Sequence, residues 1–177
     1  VNMGAEVAAN FPSVLATAAA MDQEFVANGL PQLSSVVYPI PVFSAAERDE
    51  QDKRLQLTQH AQPAIGTFSM GLYKTFLNAG FKADFTAGHS FGELTALWAA
   101  GVLSDADYRM LARARGQAMA AKDDPNFDAG TMIAVVGEPK SVAEDIKAIK
   151  GVSIANYNSN NQVVVAGETL QVGKAFE

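Results

Sequence analysis

Three observations predict that this chain belongs to the α/β class. Residues 83–101, ADFTAGHSFGELTALWAAG, run from a short apolar stretch suited to a buried strand, through a tight turn, into a strongly helical segment that Gly101 ends. Beyond residue 130 the pattern reads strand (TMIAVVG), helix (SVAEDIKAI), strand (VSIANYN), strand (QVVVAG) and a helix beginning at Thr169. Between these regions KDDPNFDAG breaks all periodicity, which divides the chain into subdomains over 1–126 and 130–177. The β-α-β-β-α order of the second is a ferredoxin-like split βαβ unit lacking its last strand, so that subdomain reads as partial.

From the N-terminus, Phe11 to Ala27 carries apolar residues at helical spacing, and Asn28-Gly29 closes the run. VVYPIPVFS and the charged cluster from Glu47 to Arg54 read as surface loop, because proline cannot donate into a central strand. Pro63 is expected to start the second helix, with Ile65, Phe68, Leu72 and Phe76 along one face and Gly80 just past the end. ADFTAG follows as the strand and ELTALWAA as the next helix. Ser104, with Asp107 three positions on, resembles a capping box and opens a helix to about Ala121. Trp98 and Met132 read as core, and Asn158, Ser159, Asn160 and Asn161 as a hairpin turn in preference to ligand contacts.

About half of the 177 residues are hydrophobic (49%), enough to bury a core. With 19 acidic and 13 basic residues, a net charge of -6 and no dense Lys/Arg run, the chain offers no electrostatic footprint for nucleic acid. The absence of cysteine excludes disulfides and thiolate metal sites, and no apolar run approaches the ~20 residues of a membrane span. A cytoplasmic protein with neither nucleic acid nor membrane as partner is expected. The chain opens on Val1 and shows no basic n-region or cleavage site, so it reads as a piece of a longer polypeptide.

Gly88, His89, Ser90, Phe91 and Gly92 satisfy G-x-S-x-G, a pattern that carries chemistry only on a strand-to-helix turn. The expected strand and helix supply that context. The two glycines remove side chains that would collide there, and the backbone N–H of Phe91, at the helix N-terminus, is placed to donate to a developing oxyanion. The competing reading makes Ser90 a small residue in a tight turn. Its base is the difficulty, because only His60 and His89 are present. At an elbow, adjacent side chains diverge, which disfavours His89; His60 reads better as a loop or capping histidine.

The helix after Ser104 carries three arginines. Arg109 and Arg113 continue the four-residue step from Asp105 and read as an exposed ladder worth about 0.3 kcal/mol per pair. Arg115 falls on the stripe of Leu111, Ala112, Ala118 and Met119, which is expected to face inward. A guanidinium there needs an anion, and two anions qualify: an internal Asp or Glu, or a substrate carboxylate held in bidentate geometry.

Together these residues resemble the malonyl-CoA:acyl carrier protein acyltransferase family, which includes the acyltransferase domains of polyketide and fatty acid synthases. GHSFGE is similar to its G-H-S-x-G-E nucleophile motif, QPAI to the start of the preceding helix, RARGQAM to its arginine motif, and IANYNSNNQVVVAG to its small-subdomain hairpin. Ser90 and Arg115 stand 25 positions apart, the spacing the family leads one to expect. The stretch from YPIPVFSAAERDEQ through GHSFGELTALWAAGVLSDADY resembles most the acyltransferase domain of bacterial polyunsaturated fatty acid synthases.

The resemblance implies an α/β-hydrolase-like large subdomain with an inserted ferredoxin-like small one, both truncated in this chain, and an active site between them. It implies that Ser90 is the nucleophile, that the Phe91 N–H is an oxyanion donor, and that Arg115 binds the malonyl carboxylate. His89 and Gln62 would line the site. The family's G-Q-G-S-Q loop would precede Val1 and its catalytic histidine would follow Glu177, so this segment alone is expected to turn over little.

The leading expectation is therefore ping-pong acyl transfer from malonyl-CoA, through a Ser90 ester, to the phosphopantetheine thiol of an acyl carrier protein. It would serve fatty acid or polyketide synthesis beside other synthase domains, and it requires no metal or bound cofactor. A serine esterase is the enzymatic alternative, separated from the first by Arg115, since a neutral acyl chain has no use for a cation. A non-catalytic structural segment of a megasynthase is the third.

Overall fold

A computed structural model describes residues 1–120, 124 and 127–176, and every regular element it contains before residue 120 is helical. The chain separates into two compact units, Val1–Ala120 and Ala121–Glu177. In the first, the elements are α1 (Ala5–Asn10), α2 (Pro12–Ala27), α3 (Ser34–Val37), α4 (Ala45–Gln56), α5 (Thr58–Asn78), α6 (Phe91–Ala99) and α7 (Asp105–Ala118). The second holds β1 (Thr131–Val136), α8 (Pro139–Ile146), β2 (Val152–Ser159), β3 (Gln162–Gly167) and α9 (Thr169–Ala175).

α2 forms as its periodicity requires: Val14, Thr17, Met21 and Phe25 are buried, and Gly29 ends the run at φ 73. The expected surface loop after it instead contains α3 and α4. Ser44-Ala-Ala-Glu47 is a capping-box pattern, and the Ser44 hydroxyl accepts from the Glu47 N–H at 3.4 Å. With Glu47 in its first turn and Lys53 and Arg54 in its last, α4 suits the helix dipole while burying nothing.

α5 starts at Thr58, not at Pro63, and runs through a buried Pro63 at the cost of one backbone hydrogen bond. Its core-facing side also differs from expectation. Ala64, Gly66, Thr67, Met70 and Gly71 are buried, whereas Ile65 and Phe76 are 52% and 58% exposed. The reason is close packing: a Cβ on Gly71 would lie 2.7 Å from the Val14 Cα of α2. One on Gly66 would lie 2.5 Å from the Tyr108 hydroxyl and 2.7 Å from Phe91 Cζ. From the other side, Gly116 of α7 brings that helix onto α5, its Cβ position 3.1 Å from Gln59 Cα and 3.3 Å from Pro63 Cδ. Small residues thus face inward because they let three helices approach, while Phe68 and Leu72 are half-buried and Ile65 and Phe76 are left outside.

Around α5, Met21, Phe25, Leu33, Ala64, Phe91 and Ala112 form one core cluster; Met70, Trp98 and Tyr108 form another. Trp98 is buried as expected, its Nε1 donating to Asp105 Oδ1 at 2.9 Å. Burial alone would raise the Asp105 pKa, but hydrogen bonds from Lys74 and Trp98, with the charges of Lys74 and Arg109, hold it below its ordinary value. Asp105 therefore pairs with Lys74 and does not start an exposed ladder. Nor is Arg113 ordinary surface: its Nε meets Glu24 Oε1 of α2 at 2.8 Å, both side chains being largely covered.

Residues 83–88 form no strand, and Phe85 is 94% exposed. A strand exists only through hydrogen bonds to a neighbour, and the described residues of this unit provide no other strand. Thr86 Oγ1 ties the segment to α6 by donating to the Ala96 carbonyl at 3.0 Å. α7 is capped by Ser104, whose hydroxyl accepts from the Asp107 N–H at 3.1 Å. It ends at Ala118, whereas Ala121, residues 122, 123, 125 and 126 of KDDPNFDAG, and with them the position-126 boundary, lie outside the described residues.

In the second unit the expected elements form, as an antiparallel sheet of order β1-β3-β2. Val163 and Val165 of the central strand pack against Val142 and Ile146 of α8. Met132, on the opposite pleat of β1, is 64% exposed and is not core. The turn between Ser159 and Gln162 is a two-residue hairpin loop, Asn160-Asn161, stiffened by Ser159 Oγ donating to Asn161 Oδ1 at 2.9 Å. Asp128 anchors the start of α9. It accepts from the Thr169 hydroxyl at 2.6 Å, the Thr169 N–H at 2.8 Å and the Gly130 N–H at 2.9 Å, which together hold its pKa below the ordinary value. Among the described residues, no helix is long and apolar enough to cross a membrane.

This packing has consequences for stability. Gly66→Ala should destabilise the first unit by about 1–3 kcal/mol through overpacking, read as a lower denaturant midpoint; an unchanged midpoint would mean α5 does not sit this close to Tyr108. For Asp128 the folded pKa is depressed, so its contribution to stability is full above the ordinary carboxylate value of 3.8 and is lost as pH falls through the folded value. The stability gap between the parent and Asp128→Asn should narrow below pH 3.8. A pH-independent gap in chemical denaturation would contradict this.

Candidate active site

The turn before α6 is closed by backbone contacts that tolerate only hydrogen at Gly88, where a Cβ would lie 1.9 Å from the Gly92 carbonyl oxygen. The Gly92 N–H donates to the His89 carbonyl at 2.9 Å, and the Glu93 N–H to the Ser90 carbonyl at 3.1 Å. Ser90 occupies the N-cap of α6 at φ 55, ψ -111, backbone space that an L side chain rarely enters and that costs on the order of 1–3 kcal/mol. The motif suggests the same duty for both glycines. Only Gly88 is so constrained, since a Cβ on Gly92 would meet nothing within 4 Å.

Ser90 is exposed, whereas the Phe91 ring beneath it is buried against Gly66. Burial of that ring fixes the elbow to α5. As the first residue of α6, Phe91 has an N–H with no helical partner, and among the described residues that N–H makes no hydrogen bond. An amide at this position can receive a negatively charged oxygen growing next to Ser90 Oγ.

Arg115 is half-buried and sits at the edge of the core-facing row of Tyr108, Ala112 and Gly116, not on a buried stripe with Ala118 and Met119, which are exposed. From that edge its guanidinium reaches the elbow. Nη2 lies 3.4 Å from Ser90 Oγ, Nη1 donates to Gln62 Oε1, and Cζ stands 5.8 Å from the centroid of the Phe91 ring. Gln62 Nε2 in turn points to Met119 Sδ at 3.6 Å. Among the described residues no carboxylate lies within ion-pair distance of Arg115.

The site thus joins Gln62 of α5, Ser90 and Phe91 at the head of α6, and Arg115 of α7. It opens on a groove of about 750 Å³ that Gln62, Phe85, His89, Ser90 and Phe91 help to line. His60 stands elsewhere in hydrogen-bonding terms, its Nδ1 2.8 Å from the Arg54 carbonyl, as expected of a capping residue. Two participants escape a reading of the sequence: the Phe91 ring under the guanidinium, and Met119 behind Gln62. Neither contact has a motif, since each depends on how α5, α6 and α7 meet.

The chain as a whole belongs to a known family. Residues 2–177 match the family described as acyl transferase domain, and the chain is a member of it. It is 36% identical over 172 residues to a polyunsaturated fatty acid synthase polypeptide of Thraustochytrium sp., covering 94% of this chain and 6% of that protein. It is 34% identical over 180 residues to the malonyl CoA-acyl carrier protein transacylase of Escherichia coli K12, covering 99% of this chain and 53% of the enzyme. Its fold matches the acyl carrier protein S-malonyltransferase of Vibrio cholerae with a TM-score of 0.78 at 30% identity, over 99% of this chain and 54% of that one. The chain therefore spans about half the length of these two enzymes.

The strain at Ser90 gives a direct test of the elbow. Ser90→Gly should raise stability relative to Ser90→Ala by about 1 kcal/mol, because glycine enters positive φ without penalty. Equal melting temperatures for the two variants would show that the turn is not strained.

Proposed function

We propose that this chain carries the acyl-accepting half of an acyltransferase site that moves a malonyl group from malonyl-CoA to an acyl carrier protein. Ser90 Oγ attacks the thioester carbonyl, the C–S bond breaks, and coenzyme A leaves as its thiol once protonated. The thiol of the carrier protein's phosphopantetheine arm then attacks the Ser90 ester and returns the hydroxyl. The Phe91 N–H stabilises the oxyanion of both tetrahedral intermediates, Arg115 holds the malonyl carboxylate, and His89 and Gln62 line the site. The first unit is read as part of an α/β-hydrolase-like subdomain bearing the nucleophile elbow, and the second as part of a ferredoxin-like one. Synthase domains for fatty acid or polyketide assembly are the natural partners.

One observation carries the choice of substrate. Arg115 holds its charge 3.4 Å from the nucleophile, with no carboxylate to neutralise it among the described residues. A serine esterase for neutral acyl chains would gain nothing from a cation there, and a purely structural arginine would be paired as Arg113 is with Glu24. A malonyl ester on Ser90 projects its carboxylate one methylene beyond the carbonyl, within reach of that guanidinium.

In the full-length protein, Arg115→Ala should lower malonyl loading of Ser90 by about 30-fold or more, equivalent to about 2 kcal/mol or above for a lost charge-assisted contact. Acetyl loading should fall much less. Intact mass spectrometry of the acyl adduct, with Ser90→Ala as the blank, measures both. An adduct that persists in Ser90→Ala, or an unchanged malonyl-to-acetyl ratio in Arg115→Ala, would overturn the assignment.

A further inference from the structure

We propose that residues 39–43, braced by α4, form a docking knob that seats in an apolar pocket with a basic rim, on a part of the same polypeptide outside these 177 residues. The segment PIPVF holds Ile40 at 84% and Phe43 at 101% exposure. Single exposed apolar side chains are ordinary on a protein surface. These two stand on a built support.

Pro39 and Pro41 fix φ on either side of Ile40. From α4, Gln51 Nε2 donates to the Ile40 carbonyl at 3.0 Å, and Arg48 Nη2 donates to the Phe43 carbonyl at 3.3 Å. Before the segment, the Tyr38 hydroxyl donates to the Met3 carbonyl at 3.2 Å; after it, Ser44 caps α4. The backbone is thus held at both ends and at the two residues whose side chains project. A segment fixed in advance loses less entropy on binding, and an aromatic that fills a partner's pocket is the kind of anchor on which interfaces are built.

α4 points the same way. It has 12 residues and buries none of them, a length at which an isolated helix is marginal in water. A helix polar all round persists where it bridges between domains or carries many i,i+4 ion pairs. Among the described residues α4 carries one such pair, Lys53 to Asp49 at 2.6 Å. Arg48 and Gln51, three apart, share the face that holds the segment, and Glu47 and Glu50 share the adjoining one.

Charge defines the partner. Glu47 and Glu50 form no ion pair among the described residues, whereas Asp49 meets Lys53 and Arg48 meets a carbonyl. The knob therefore has an acidic border, which a pocket edged with Lys or Arg complements. A second copy of this chain fits poorly, because its net charge is -6 and a two-fold contact would set these carboxylates against each other. Another part of the same polypeptide fits better. The match to the Thraustochytrium protein covers 6% of that protein's length, so a domain of this kind there has a long chain around it.

The test places p-benzoylphenylalanine at position 43 of the full-length protein, irradiates it, and maps cross-linked peptides by mass spectrometry. Position 43 should join to a segment of the same polypeptide outside residues 1–177, with a yield independent of protein concentration. Glu47→Lys combined with Glu50→Lys in that background should lower the yield about fivefold or more, because the border charges are reversed. Arg48→Ala, which frees the Phe43 carbonyl, should lower it as well. The three substituted side chains are exposed, so a thermal melt should stay that of the parent. A cross-link to a second copy, with a yield that rises with concentration, would overturn the proposal, as would one to a carrier protein or none at all. So would a yield indifferent to the Lys pair or to Arg48→Ala, which would mark Phe43 as a side chain that meets its neighbours by chance.

Discussion

Everything in the first unit depends on how closely its helices can approach α5. Gly71 admits α2, Gly66 admits the Phe91 ring and the Tyr108 hydroxyl, and Gly116 admits Pro63 and the first turn of α5. Each contact falls below or close to the shortest distance a Cβ would tolerate, so the interhelical distances are set by the absence of side chains as much as by hydrophobic attraction. The site inherits those distances. Gln62, Phe91 and Arg115 each neighbour or form one of these contacts, and none belongs to the same helix as another.

The elbow adds a second constraint, which opposes the first. Packing favours relaxed geometry, yet Ser90 is held at φ 55 in a turn that Gly88 closes. Strain of that kind persists only where surrounding contacts over-determine the backbone. Here the buried Phe91 ring supplies the anchorage on one side, and the Ser90 and His89 carbonyls accept the next two amides on the other. What the strain secures is exposure of Oγ beside a helical N–H that makes no hydrogen bond among the described residues.

Much of this is legible in the sequence, and the failures share a cause. Local signals place α2, α6, α7 and the whole β-α-β-β-α order of the second unit, because caps, hairpin turns and alternating valines act within a few residues. The Ser44-Ala-Ala-Glu47 start of α4 is legible too, but the prolines before it obscure it. ADFTAG fails as a strand because a strand is a property of two segments, and its composition says nothing of a neighbour. The inward face of α5 is misread because hydrophobicity ranks Ile65 and Phe76 above Gly66 and Gly71, whereas close packing ranks them the other way. For the site, Ser90 and the Phe91 amide follow from one motif. The Gln62–Arg115 contact needs the meeting of two helices.

Arg113 and Arg115 show why position on a helix decides what an arginine does. They lie two residues apart on α7, about 200° around its axis, and share sequence neighbours and charge. Arg113 turns toward α2 and meets Glu24 at 2.8 Å, so its charge is used in joining two helices. Arg115 turns toward α5 and α6 and, among the described residues, meets an amide, a hydroxyl and a ring. A cation with neutral neighbours keeps its attraction for an anion, and the partly covered setting strengthens that attraction relative to open water. The chemistry of the acceptor opposite thus distinguishes the two arginines: a carboxylate faces Arg113, and an amide faces Arg115.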